Sequence, residues 1–235
     1  MKYFQKLFFL FLLAMWSCDF STSPDNVTQD APFMSLHVGD IREYYDSLDN
    51  SYFKWEILNT TNRTDGLEVF TIEESFETIY GIFTNISYYF IRNGNLFRSN
   101  LDTANNPALK NINPFYEQKL AKLYPMEGDH FLITEGVPDS NRLYMHVHFL
   151  DSISTPIRTF FDIAEYTQID SNSTTEQKVF YTKEYGHLGT KIKNNSREGY
   201  ILLNYLKLDG KEIGTFVPFD STSNVVDNKA SPIIF

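Results

Sequence analysis

Two dipeptides, Asn93-Gly94 and Asp209-Gly210, constrain this chain more than any other feature, because each separates two runs of strand-forming residues by the length of a tight hairpin. Tyr88-Tyr-Phe-Ile-Arg92 precedes the first and Asn95-Leu-Phe-Arg98 follows it, while Leu202–Leu208 and Lys211–Phe216 flank the second. A two-residue connection of type I′ needs positive φ at both central positions, which Asn, Asp and Gly tolerate and branched residues resist. Neighbouring strands are therefore antiparallel. Further runs rich in aromatic and β-branched residues, Ser51–Leu58, Leu67–Ile72 and Arg142–Phe149, also read as strands. Helical periodicity is confined to about Pro114–Tyr124, where Asn113 can cap, Pro114 suits the first turn, Phe115, Leu120 and Leu123 fall near one face, and Pro125 stops the run. The expected fold is mainly β: a single curved antiparallel sheet or half-barrel with one short helix.

That helix and the Asn-rich stretch before it divide a strand-rich body, residues 33–235, into halves meeting near 105–125. Each half opens on a Gly-Asp pair, Gly39-Asp40 and Gly128-Asp129, which suggests a weak two-half pseudo-repeat. One shared core is expected, since all-β domains of this length form single units. The four glycines Gly39, Gly128, Gly186 and Gly189 read as tight turns, bulges or close backbone approaches, and none opens a helix after a strand as a phosphate cradle requires.

The first 17 residues have another purpose. Lys2 and Lys6 precede a short apolar run, Leu7–Met15, and the segment after it is polar, so residues 1–17 read as an export signal too short to span a bilayer, for which roughly 20 apolar residues are needed. The chain has a single cysteine, Cys18, placed directly after that run, which excludes an internal disulfide framework and any cysteine-built zinc or iron–sulfur site. Residues 18–32 lack periodicity and core-forming density, and read as a flexible tether. Loss of residues 1–17 removes two bases and no acids, leaving 18 bases against 30 acids, a net charge of −12. So acidic a surface repels phosphate backbones, and nucleic acid is not an expected partner.

Ala14-Met15-Trp16-Ser17-Cys18 resembles the lipobox of bacterial lipoproteins, in which the cysteine is lipidated and becomes the mature N-terminus. Leu36-His-Val-Gly39-Asp40-Ile-Arg42-Glu-Tyr44 resembles the Leu-x-Val-Gly-Asp-x-Trp-x-Tyr opening of uncharacterised exported lipoproteins of Gram-negative bacteria, with Arg42 at the Trp position. The closing stretch, Tyr181-Thr-Lys-Glu-Tyr-Gly186 with Leu202-Leu-Asn-Tyr205 and Gly210, is similar to the same group. The resemblance implies a β-rich envelope lipoprotein and no particular chemistry. Its expected partner is a membrane, through acyl chains on Cys18. The expected location is the cell envelope, membrane-anchored, at the outer membrane.

Candidate chemistry is sparse. Tyr144, His146 and His148 project to one face of a strand and form a candidate ligand-binding set, yet His37, His130 and His187 lie at no recognisable metal-ligand spacing, and no metal is expected. Glu73-Glu74, as adjacent strand residues, point to opposite faces, and Asp162 with Glu165 offers a second, separated acidic pair. There is no Gly-x-Ser-x-Gly elbow and no His-Glu-x-x-His motif. No cofactor and no catalytic residue is expected. The surplus aromatics Tyr88, Tyr89, Phe90, Phe97, Phe160 and Phe161 are candidates to line a cavity for an apolar ligand. The expected role is non-catalytic: structural, binding an envelope protein, or binding an apolar ligand. The alternative is an exported enzyme acting on an envelope glycan or lipid.

Overall fold

The computed structural model describes residues 32–78, 81–99, 117–134, 143–169, 175–218 and 226–227. The chain divides into Met1–Asp30, which lies outside the described residues together with Cys18, and a unit Ala31–Phe235 that holds every described strand. These are β1 (Ile41–Asp46), β2 (Ser51–Asn62), β3 (Glu68–Thr78), β4 (Gly81–Arg92), β5 (Asn95–Ser99), β6 (Glu117–Lys122) and β7 (His130–Leu132). There follow β8 (Tyr144–Ser154), β9 (Thr159–Ile169), β10 (Glu176–Thr182), β11 (Gly186–Lys193), β12 (Glu198–Leu208), β13 (Lys211–Gly214) and β14 (Val226–Asp227).

Twelve strands follow one another around a single sheet in the order β6-β5-β4-β3-β2-β1-β12-β11-β10-β9-β8-β7, an up-and-down path nearly closed into a barrel. The seam lies between β6 and β7, where Lys119 N donates to Ile133 O at 2.7 Å. Closure removes most of the exposed edge that an open sheet of this size would present. The short β13 pairs with β12 along Tyr205–Leu208, and β14 pairs in parallel with β4, the one parallel contact among the described strands. Both expected hairpins form: Asn93 (φ 51) and Gly94 (φ 68) join β4 to β5, and Asp209 (φ 47) and Gly210 (φ 75) join β12 to β13.

The expected helix at Pro114–Tyr124 is not formed: Glu117–Lys122 is strand β6, and Asn113 to Tyr116 lie outside the described residues. Extended backbone wins here because the open edge of β5 pairs with it from Ser99↔Glu117 to Asn95↔Lys122. It also places the Glu117 carboxylate against Arg63 Nη1 (2.8 Å) and Arg92 Nη2 (2.9 Å) on the outer wall. A bulge leaves Leu120 without a partner on β5 and turns it toward the interior, which reproduces an apolar spacing that also fits a helix.

The Gly-Asp pairs are corners with matching hydrogen bonds. Asp40 N donates to His37 O and Asp129 N to Met126 O, both at 3.1 Å; Asp40 Oδ2 accepts from His37 N (3.1 Å) and Asp129 Oδ2 from Met126 N (2.8 Å). Gly39 and Asp40 then exchange backbone bonds with Ile57 as Gly128 and Asp129 do with Val147. One corner leads into β1 and the other into β7, so each begins a run of six strands of the main sheet path, β1–β6 and β7–β12, and the runs divide between Lys122 and His130.

Side chains fill the barrel. Ile57, Ile72, Leu96, Ala121, Val147, Ile163, Ala164, Tyr166, Leu188, Leu203 and Leu206 are among its buried residues. At the end where β1 begins, residues 32–37 run across the interior. Phe33 N donates to Leu123 O (2.9 Å), Pro32 O accepts from Glu184 N (3.4 Å), and Phe33, Met34 and Leu36 are buried. A smaller, separate cluster of Val69, Phe90 and the stacked Phe97 packs outside, beneath Arg63 and Arg92.

Candidate functional site

Alternation along the strands sends one residue in two into the barrel. For most strands that set is apolar, but β1, β3, β5 and β11 carry Arg42, Glu74, Arg98 and His187 in it. Glu74, Arg98 and His187 border a cavity of about 100 Å³ walled by Tyr44, Phe53, Trp55, Tyr89, Tyr181 and Ile201 among others, and Arg42 packs against its Trp55 wall.

On one wall, Trp55, Glu74 and Asn85 stand side by side across β2, β3 and β4, and Tyr89 faces Arg98 across β4 and β5. The Glu74 carboxylate, 2% exposed, accepts from Tyr89 Oη (3.3 Å), Asn85 Nδ2 (3.2 Å) and Arg98 Nη2 (3.1 Å). Arg98 also donates to Ser87 Oγ at 2.8 Å. Opposite charges and several bonds offset the desolvation that a lone buried carboxylate would suffer. Burial, and then the adjacent Glu74, hold the Tyr89 phenol well above its ordinary range, so it remains a donor.

The facing wall is set by a bulge. In β11, Gly189 pairs with Phe180 and His187 with Tyr181, leaving Leu188 extra, so that His187 and Thr190 both border the cavity although three residues apart. Gly189 (φ 142) makes this possible, since a Cβ there would strike the Ile201 carbonyl of β12. His187 Nδ1 lies 2.8 Å from Tyr44 Oη. Burial, and next the positive charge of Arg42, push the imidazole down to about 3, so it is neutral at ordinary pH. Burial likewise raises the Tyr44 and Tyr181 phenols. The interior is thus uncharged at its hydroxyls and imidazole, and cationic at Arg42.

The residues singled out from sequence lie elsewhere. His146 and His148 are exposed on the outer face of β8 while Met145 and Val147 between and before them are buried, as strand alternation requires. His146 stacks on His130 (5.9 Å between centroids), and His148 Nδ1 meets Glu127 Oε1 at 2.6 Å. Tyr144 is half-buried and does not border the cavity. Among the described residues no three His, Cys, Asp or Glu side chains converge as metal ligands. Glu73 and Glu74 do point to opposite faces, Glu73 toward Lys54 outside. Asp162 is exposed, and Glu165 is bound by Lys178 Nζ at 2.8 Å. Of the surplus aromatics, Tyr89 alone borders the cavity; Phe160 is buried against Tyr185, and Phe161 is 66% exposed. What sequence reading missed carries one signal: a charged residue in the otherwise apolar phase of a strand, as in Ile72-x-Glu74-x-Phe76.

No protein family matches the chain, and no curated protein is similar to it. Among solved structures it is similar to a protein assigned as exported, with a YmcC-like fold, from Bacteroides fragilis (15% identity, TM-score 0.47, 76% of this chain and 100% of that one). It is also similar to a protein assigned as a lipoprotein from Parabacteroides distasonis (16% identity, TM-score 0.44, 76% of this chain and 99% of that one).

Proposed function

We propose that the chain is an exported lipoprotein held in the cell envelope, at the outer membrane, by acyl chains on Cys18, and that its barrel binds a small, largely apolar molecule without transforming it. The observation that carries the binding role is the cavity of about 100 Å³ walled by Tyr44, Phe53, Trp55, Tyr89 and Tyr181. Small antiparallel barrels are filled by side chains or hold one small ligand. Here aromatic surface supplies the apolar contact, and the Glu74–Arg98 pair with the buried hydroxyls supplies a few fixed polar groups, the usual composition of a ligand site. For the anchor, two or three acyl chains buried at about 0.8 kcal/mol per methylene hold a protein to a bilayer. The tether of residues 18–32 then lets the barrel stand off by roughly 20 Å as a random coil.

The chain has two tryptophans, Trp16 in the export signal and Trp55 on the cavity wall, so in Trp16→Phe protein the indole emission reports on the cavity alone. Saturable change of that emission with small apolar compounds, lost in Trp55-preserving fillings such as Leu120→Phe, is the expected result; emission indifferent to every compound tried refutes the binding role. Metabolic acylation and detergent-phase partition, both abolished by Cys18→Ala, are expected for the anchor, and an unmodified thiol on a water-soluble mature chain refutes it.

A further inference from the structure

Most polar groups lining the cavity are engaged by the protein itself. Glu74 accepts from Tyr89, Asn85 and Arg98, and Tyr44 meets His187, whose Nε2 lies 3.5 Å from Thr190 Oγ1. Gln177, near the start of β10, is only half-buried. Two atoms of buried lining residues are left over: Trp55 Nε1 and Tyr181 Oη make no hydrogen bond among the described residues. Neither is sealed in, as the unpartnered Nε and Nη1 of Arg42 are, so each faces open space. For side chains 6% and 5% exposed that line the void, that space is the cavity.

Their placement agrees. Tyr181 stands on β10, far around the sheet from β4, and its ring lies against Tyr166 (5.2 Å) and His187 (5.3 Å between centroids). Its hydroxyl acts by charge on Tyr44, Tyr89 and Tyr166, which belong to β1, β4 and β9. A group felt from three strands on different sides sits within the barrel and not in its wall. Trp55 packs edge-on against Tyr89 (5.3 Å) and beside Arg42, and Tyr181 acts by charge on both, which puts the two donors in one region of the cavity.

Both groups offer a proton. An indole N–H can only donate, and burial holds the Tyr181 phenol well above its ordinary range, so it keeps its hydrogen. They call for an acceptor, and the rest of the lining decides its charge. Glu74 and Arg98, the charged residues of the lining, bind each other at 3.1 Å, and the imidazole of His187 is neutral. An ion entering the cavity would lose its water and find no free counter-charge, a strongly unfavourable exchange.

Resting on the reading of the cavity as a ligand site, we propose that the ligand is a small uncharged molecule bearing one oxygen acceptor of the carbonyl type, and that Tyr181 Oη recognises that oxygen, with Trp55 Nε1 as the second donor. The aromatic walls take up the hydrocarbon part. With a void of about 100 Å³, the ligand is short, on the order of six non-hydrogen atoms by comparison with cavities that take benzene.

The test titrates cyclopentanone, its hydrocarbon isostere methylenecyclopentane, and the anion butyrate into full-length wild-type and Tyr181→Phe protein, by calorimetry and by the rise of the thermal midpoint with concentration. Cyclopentanone is expected to bind about fivefold more weakly to Tyr181→Phe, the ratio for one neutral hydrogen bond, while methylenecyclopentane binds both proteins alike and butyrate binds neither. The ligand-free midpoint of Tyr181→Phe is expected to be no lower than that of wild type, because the hydroxyl has no protein partner to lose. Equal cyclopentanone affinity in the two proteins, an equal loss for ketone and hydrocarbon, or butyrate binding as tightly as cyclopentanone overturns the proposal and leaves the cavity reading intact, as does binding of methylenecyclopentane alone. Absence of response to all three compounds overturns both. A Tyr181→Phe protein that fails to fold also overturns the proposal, since it assigns the hydroxyl a structural role.

Discussion

Tyr44 Oη and His187 Nδ1 meet at 2.8 Å inside the barrel, joining residues 143 apart in sequence. The contact exists because β1 and β11 flank β12 and because the β11 bulge turns His187 inward. It also sets a pH response. In the unfolded chain His187 titrates near its ordinary 6.5, whereas in the fold burial and Arg42 hold it at about 3. Below pH 6.5 the unfolded state takes up a proton that the fold refuses, so stability falls as pH drops, by at most about 1.4 kcal/mol per pH unit from this group. Between pH 6.5 and 5, above the carboxylate range, urea unfolding is expected to show this slope, and His187→Gln to flatten it. An unchanged slope in the variant would mean that His187 is not the responsible group.

Glu74 is the point where the other wall is neutralised. Glu74→Ala strips the Arg98 guanidinium of its buried carboxylate and Tyr89 of its acceptor, and is expected to destabilise the barrel by about 3 kcal/mol, as for loss of one member of a buried pair. Glu74→Gln, which keeps an acceptor for Tyr89 Oη, should lose less. Denaturant midpoints of the two variants measured side by side check the order.

The role of Gly189 is separable from that of an ordinary turn glycine. Its φ of 142 and the Ile201 carbonyl facing it leave no room for a Cβ, so Gly189→Ala must displace β11 from β12. A loss above about 2 kcal/mol is expected, with Trp55 emission changed as the cavity wall moves. Gly66→Ala, at φ 84 with nothing near its Cβ, is the control. It should lose only about 1 kcal/mol, from backbone strain alone.

Arg42 is fully buried with two guanidinium nitrogens unpartnered, so its charge is a cost to the fold. Replacing it by the apolar Met of similar length is expected to raise the thermal midpoint of ligand-free protein by a few degrees, corresponding to about 1 kcal/mol for a domain of this size. A fall in the midpoint would show that the Tyr185 carbonyl and the Trp55 ring stabilise the guanidinium more than burial disfavours it.

Antiparallel architecture was legible in Asn93-Gly94 and Asp209-Gly210, since so short a connection permits only one strand direction. The Gly-Asp corners were legible as turns, though their matching bonds to Ile57 and Val147 required the pairing partners. The helix over Pro114–Tyr124 was misread because the spacing of Leu120 and Leu123 fits two periods, and only the free edge of β5 selects between them. For His146 and His148 the alternation was right. The apolar phase of β8, Met145 and Val147, is the buried one, and the histidines of the other phase lie on the solvated face.

The order of residues determined that the chain is a succession of antiparallel strands joined by short turns, that its lone cysteine follows the apolar run Leu7–Met15, and that the body is acidic. These are local properties, decided by backbone freedom and composition over a few residues. Tertiary structure decided that the sheet curls until β6 meets β7, and that the Glu74–Arg98 pair and His187 line a common cavity in its interior. That outcome depends on register and on bulges, which shift a side chain from one face to the other by a single residue, and on closure, which turns one face of a sheet into the inside of a barrel.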